Sequence, residues 1–88
     1  MVTREVPVVN ALGLHARAAA RFVKLASTFR SQIRVTRGSR TTDGKSILGL
    51  LLLAAARGAT LGISADGPDE QDAVDALCGL TAVGFEDA

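Results

Sequence analysis

The chain has one histidine, His15, and its position is more informative than its identity. It follows the turn signal Asn10-Ala11-Leu12-Gly13 and opens an amphipathic segment. A helix start leaves backbone N–H groups unpaired and carries the positive end of the macrodipole. An anion brought to that point meets the amides of Ala16 and Arg17 together with the Arg17 guanidinium. A neutral imidazole beside such a place is a fitting acceptor for a phosphoryl group, whose transfer needs in-line positioning and charge stabilisation above all. A lone histidine at a helix start also serves as a plain cap. Gly13, Arg17 and the basic residues around them are what favour the chemistry here. A metal site has little to be built from, since there is no second His and Cys78 is the only cysteine.

A second position of interest is Ser46, which is suited by its own chemistry to cap the short apolar helix that follows it. Cys78, beside Leu77 on the last helix, reads as a small buried filler. A single cysteine also excludes an intramolecular disulfide framework.

These residues sit in 88 amino acids, enough for a single domain over residues 1–88 with one core. Apolar residues make up 48% of the chain, but 15 of them are alanine, so few large side chains build that core. The net charge of +1 conceals an uneven distribution. Residues 1–45 carry nine Lys/Arg against Glu5 and Asp43, a net +7, and residues 46–88 carry Arg57 against seven acids, a net −6. Such a split suits an anionic ligand or acidic partner, although two solvated blocks give the same pattern. No Trp or Tyr and only three Phe leave little for a base-stacking surface, so nucleic acid is not an expected partner. The longest apolar run, Leu50 to Ala56, is far short of the ~20 residues of a membrane span. No signal peptide is visible behind Met1, and the expected location is the cytoplasm.

The elements that must position these side chains follow from periodicity. Val2, Val6 and Val8 share one parity and predict a strand over 2–9, with Pro7 placing it at a sheet edge. Ala19, Phe22, Val23, Ala26 and Phe29 follow helical spacing over 16–28. Ile33 and Val35 alternate with Arg34 and Thr36, and Arg37-Gly38-Ser39-Arg40 turns the chain into a third strand near 40–43. Ser46 opens an apolar helix over 47–56, closed by Gly58. Ala59, Leu61, Ile63 and Ala65 form a fourth strand. After the Asp66-Gly67-Pro68 turn, Asp69 caps a last helix carrying Val74, Leu77, Leu80 and Val83. The order β-α-β-β-α-β-α, with one apolar parity per strand, predicts an α+β fold: an open-faced two-layer sandwich whose antiparallel sheet has helices on one face.

Gly13-Leu14-His15-Ala16-Arg17-Ala18-Ala19 resembles the phosphohistidine signature of the HPr family, the phosphocarriers of the bacterial phosphoenolpyruvate-dependent phosphotransferase system. Gly44-Lys45-Ser46-Ile47-Leu48-Gly49-Leu50 resembles the family's regulatory-serine region, and Ile63 to Glu70 its fourth strand and following turn. The blocks lie at the family's spacings and the resemblance covers essentially the whole chain. It implies a four-stranded sheet of order 1-4-2-3 with three helices on one face, no cofactor and a monomer. It also implies that His15 takes a phosphoryl group on Nδ1 from enzyme I and passes it to enzyme IIA-type proteins, with Arg17 neutralising phosphate charge. Ser46 would be the serine modified by HPr kinase/phosphorylase. Ile47, Leu48 and Leu51 would dock partners beside Ala16, Ala20, Arg21 and Lys24, while Leu50 and Leu53 belong to the core. One departure is Ala18, where the family usually has proline. Alanine is the best helix former, so little cost is expected.

The motifs leave the pathway branch open. The Leu50–Leu53 run and the Gly84-Phe85-Glu86-Asp87 tail are similar to nitrogen-branch relatives, whereas Gly-Lys-Ser-Ile around Ser46 is similar to kinase-regulated carriers. Two other readings compete with a carrier: a regulatory binding module acting through Ser46 and docking alone, and a small nucleic-acid-binding domain. The presence of His15 counts against the first, and the lack of aromatic platforms or a groove-reading motif against the second.

Overall fold

Apolar alternation decides which face of a strand is buried, and three of the four strands have one such face; the short strand over 40–43 carries no apolar residue. The computed structural model describes residues 1–87. In chain order the elements are β1 (Val2–Pro7), α1 (Ala16–Ala26), β2 (Gln32–Arg37), β3 (Arg40–Asp43), α2 (Ile47–Leu52), β4 (Thr60–Asp66) and α3 (Glu70–Ala82). A terminal turn, Gly84–Asp87, follows. The strands form one antiparallel sheet, as the periodicity predicts, and its order β1-β4-β2-β3 is the one the family resemblance implies.

Pro7 lies on the edge strand β1, where a missing N–H costs no ladder bond. The central strand β4 pairs Ile63 with Val35, Ala65 with Ile33 and Leu61 with Val6. These side chains point to the same side and are buried beneath the helices, where Phe22, Leu50, Leu53, Val74, Leu77 and Phe85 complete the core. Cys78 is buried there too, and burial raises its thiol pKa, which fits a filler.

Several boundaries differ from expectation for identifiable reasons. β1 ends at Pro7, but Val8 continues to exchange backbone bonds with Ala59 and Gly58. α1 ends at Ala26. α2 stops at Leu52 and not at Ala56, because Ala54 adopts a left-handed conformation (φ 52°) directly beyond the cap residue Leu53. Arg37 and Arg40 reach over from the β2–β3 hairpin and donate to the Leu53 and Leu52 carbonyls. Val83, expected on the buried face of the last helix, is 59% exposed, since α3 has ended by then.

Asp69 stands at the N-cap position of α3, but its side chain does not cap that helix. Its carboxylate accepts from the Arg30 and Ser31 amides at 2.9 Å each and from the buried Ser31 hydroxyl, so it pins the α1–β2 connection to the β4–α3 turn. The Ser31 hydroxyl and then the Arg30 amide hold its pKa well below the ordinary 3.8, at about 2. A depressed carboxyl contributes stability above its unfolded-state value and loses it as pH falls through the folded-state value. Stability is therefore expected to fall between 3.8 and about 2 on account of this residue. Asp69→Asn should show a flatter acid limb over that window in urea unfolding followed as a function of pH, with the contributions of Glu70 and Asp75 unchanged.

Candidate functional site at the start of the first helix

The turn before α1 is tied to itself and to the segment after α2. Gly13 N–H donates to the Asn10 carbonyl at 3.1 Å, and Asn10 Nδ2 donates to the Gly13 carbonyl at 2.8 Å. Leu14 N–H donates to the Ala55 carbonyl at 2.9 Å, while the Leu14 side chain enters the core. Gly13 has φ 67°, and a Cβ there would lie 2.5 Å from the Ala55 oxygen. Only glycine satisfies both demands.

His15 then takes the extended backbone of an N-cap (φ −83°, ψ −177°). Its carbonyl accepts the first helical bond, from Ala19 N–H at 2.8 Å, and its Nδ1 accepts from the Arg17 N–H at 3.3 Å. An imidazole nitrogen that accepts an N–H must present its lone pair, which assigns the proton of the neutral ring to Nε2. Nε2 itself is buried, with no hydrogen-bond partner among the described residues. The basic, lone-pair-bearing atom is thus Nδ1, at the mouth of the helix N-terminus.

No acidic side chain occupies the first turn of α1, so its positive end is not neutralised from within. Ala16 is exposed, and the exposed Arg17 guanidinium makes no hydrogen bond or ion pair among the described residues. Ala18 is buried at the third helical position, ahead of the first intrahelical bond, which Ala19 makes. Its N–H therefore serves no intrahelical bond, so a residue without one would forfeit none there.

Beside this helix lies α2. Ser46 is its N-cap: the hydroxyl accepts from Gly49 N–H at 3.0 Å, and the carbonyl accepts from Leu50 N–H. Leu50 and Leu53 are buried as expected, and Ile47, Leu48 and Leu51 are exposed. Two further exposed side chains were not anticipated: Leu52, 63% exposed, and Leu12, 73% exposed in the turn before His15. Leu52 lies four residues from Leu48, as Leu51 does from Ile47, so helical spacing was the signal that would have found it.

Ala20 and Lys24 are exposed on α1, and Lys24 has no partner among the described residues. Arg21 is different. Its Nη1 donates to the carbonyls of Phe85 and Glu86 at 2.7 and 2.8 Å, so this part of the predicted docking set is tied to the protein's own C-terminal turn. The basic half of the sequence is in fact largely used internally. Arg4 pairs with Asp75 at 2.6 Å, and Lys45, like Arg21, Arg37 and Arg40, donates to a backbone carbonyl. Arg17 and Lys24, on the helix that follows His15, make no side-chain hydrogen bond or ion pair among the described residues. Among the described residues no group of His, Cys, Asp and Glu could hold a metal, and no helix is long and apolar enough to cross a membrane.

Fold and site together define an open-faced α+β sandwich that presents one imidazole at an uncompensated helix N-terminus. The family model described as "PTS HPr component phosphorylation site" matches residues 2–82. The phosphocarrier protein HPr of Cupriavidus necator is 48% identical over 97% of this chain and 96% of its own. The phosphocarrier protein NPr of Shewanella violacea is 40% identical over 97% of this chain and 93% of its own. The crystal structure of an HPr from Thermoanaerobacter tengcongensis superposes with a TM-score of 0.95 at 39% identity, covering 100% of this chain and 99% of that one. The chain belongs to the HPr family, the phosphocarrier proteins of the phosphotransferase system.

The glycine requirement before His15 can be checked. Gly13→Ala should lose about 2 kcal/mol or more in chemical denaturation, from the left-handed backbone and from the contact with the Ala55 oxygen. A loss of less than about 0.5 kcal/mol, the level of an ordinary surface substitution, would show that the loop relaxes freely.

Proposed function

We propose that this chain takes a phosphoryl group on Nδ1 of His15 from phosphorylated enzyme I and delivers it to a histidine of an enzyme IIA-type protein. It acts as an intermediate and not as an enzyme with a small-molecule substrate of its own. The observation that carries this reading is the placing of Nδ1: it holds the ring's lone pair at the start of α1, while Nε2 is enclosed.

In the transfer, the Nδ1 lone pair forms the N–P bond as the bond from phosphorus to the donor nitrogen breaks, in line. The donor nitrogen keeps the electron pair of that bond, and the proton on Nε2 stays where it is. Once Nδ1 is phosphorylated it no longer accepts from the Arg17 amide. That N–H, with the Ala16 amide, is then available to a phosphoryl oxygen at the positive end of the helix. The unpaired Arg17 guanidinium adds charge neutralisation. Handing the group on is the same step reversed, and the Arg17 amide returns to Nδ1.

For docking, Ile47, Leu48 and Leu51, extended by Leu52 and Leu12, supply an apolar surface, and Ala16 and Ala20 keep the adjoining helix face low. Lys24 gives that face a charge suited to acidic partners. We further propose that Ser46 is a phosphorylation site for an HPr kinase/phosphorylase. α2 has no acid in its first turn, so its N-terminus tolerates a phosphate whose charge then repels the same acidic partners. The reading is of a monomeric cytoplasmic carrier that uses no cofactor and binds no nucleic acid.

Incubation with enzyme I, Mg²⁺ and labelled phosphoenolpyruvate should place acid-labile label on the chain, and His15→Ala should take up none. Label that survives acid, or that persists in the His15 variant, would sink the carrier reading. Arg17→Ala should slow transfer by about a hundred- to a thousandfold, the range for losing one preorganised donor to transition-state charge, with an unchanged circular-dichroism spectrum. An unaltered rate would remove Arg17 from the mechanism.

A further inference from the structure

The chain ends in a conformation that needs support. Gly84, Phe85 and Glu86 have φ of 66°, 55° and 59°, three consecutive left-handed residues, two of which carry a Cβ. Such a run persists only where its surroundings over-determine it. Two contacts do so here. The Phe85 side chain is fully buried, one of the largest in the core with Phe22 of α1. Arg21, on the α1 turn after Arg17, donates from one nitrogen to both the Phe85 and Glu86 carbonyls at 2.7 and 2.8 Å.

The same turn touches the loop that delivers His15. A Cβ on Gly84 would stand 3.3 Å from the Asn10 Cβ, and Asn10 is the residue that grips Gly13 through two hydrogen bonds. A closed circuit results: α1 holds the terminal turn through Arg21, the turn lies against Asn10, Asn10 fixes Gly13, and Gly13 sets the backbone that leads through Leu14 into His15 at the head of α1.

We propose that the C-terminal turn, clasped by Arg21, is a brace for the phosphoacceptor loop, and that Arg21 is a positioning residue and not a partner contact. α1 has need of one, because three of its four fully buried residues are Ala18, Ala19 and Ala26, Phe22 is the only large one, and Val23 and Leu25 pack only partly against the core. Small residues give few methylene contacts to hold a helix in place. In its kinetic part the proposal rests on the carrier reading; in its structural part it does not.

The test uses the full chain as Arg21→Ala and Arg21→Lys. Amide hydrogen exchange is read at Gly13 and at residues 84–86, and phosphotransfer from enzyme I is followed in the steady state. In Arg21→Ala, exchange at Gly13 and in the turn should accelerate about tenfold. kcat should fall about tenfold, inside the ~100-fold that a 1 Å misplacement can cost, while KM for enzyme I stays within about twofold. Arg21→Lys, whose ammonium still reaches a carbonyl, should recover part of both. A raised KM at unchanged kcat, with Gly13 exchanging at the wild-type rate, would make Arg21 a docking residue and overturn the brace. Should Arg21→Ala not fold, Gly84→Ala presses on Asn10 directly and should speed Gly13 exchange; an unchanged rate there also overturns the proposal. If the wild-type chain takes up no phosphoryl group, the carrier reading fails while the exchange data still decide on the brace.

Discussion

An α-helix must do something with the N–H groups of its first turn, and the way α1 meets that demand organises this molecule. With no acidic side chain in that turn, the Arg17 amide falls to an imidazole, which offers a weak, neutral acceptor at 3.3 Å. The arrangement leaves the helix N-terminus under-satisfied on purpose-built geometry: a better acceptor, carrying negative charge, has a ready place there. The glycine-bearing turn, the Leu14–Ala55 bond and the extended backbone of His15 all hold the ring at that point.

The cations show how tertiary structure sorts residues that a sequence can only pool. Arg37 and Arg40 sit in the basic half of the chain, yet they satisfy the last carbonyls of α2, a six-residue helix too short to persist alone. Lys45 bonds to the Phe29 carbonyl, Arg4 to Asp75 and Arg21 to the terminal turn. Long side chains reach across many residues of sequence to partners that only the fold brings near. Among the described residues Arg17, Lys24, Arg30 and Arg34 of that half make no side-chain hydrogen bond or ion pair, and the first two lie on the helix that carries His15. Five of the nine cations of that half are thus committed within the fold.

The elements were legible because each has a strong local period. β2 and β4 alternate, α1 has its apolar stripe, and Pro7 announced an edge strand that the sheet order bears out. Ser46 announced its capping role for the same local reason. Positions whose partners lie far along the chain were misread or missed. Asp69 looked like a helix cap and instead binds Ser31 and the Arg30 amide, 38 and 39 residues away in sequence. The end of α2 depended on Ala54 taking a left-handed conformation, which no alanine signals. Leu52 was hidden within an apolar run in which every second or third residue seemed equally fit for the core.

The sequence by itself determined the sandwich, the strand faces, and the pairing of one histidine and one arginine with a helix start. Those follow from periodicity and capping, which act over a few residues. The tertiary structure alone showed that Nδ1 accepts the Arg17 amide while Nε2 is enclosed, because that depends on what packs around the ring. It alone decided which cations remain free, because each was settled by a carbonyl or carboxylate from another element. It also set residues 84 and 85 against distant parts of the chain. Gly84 meets Asn10 and Phe85 meets the core only after folding has brought two distant parts of the chain together.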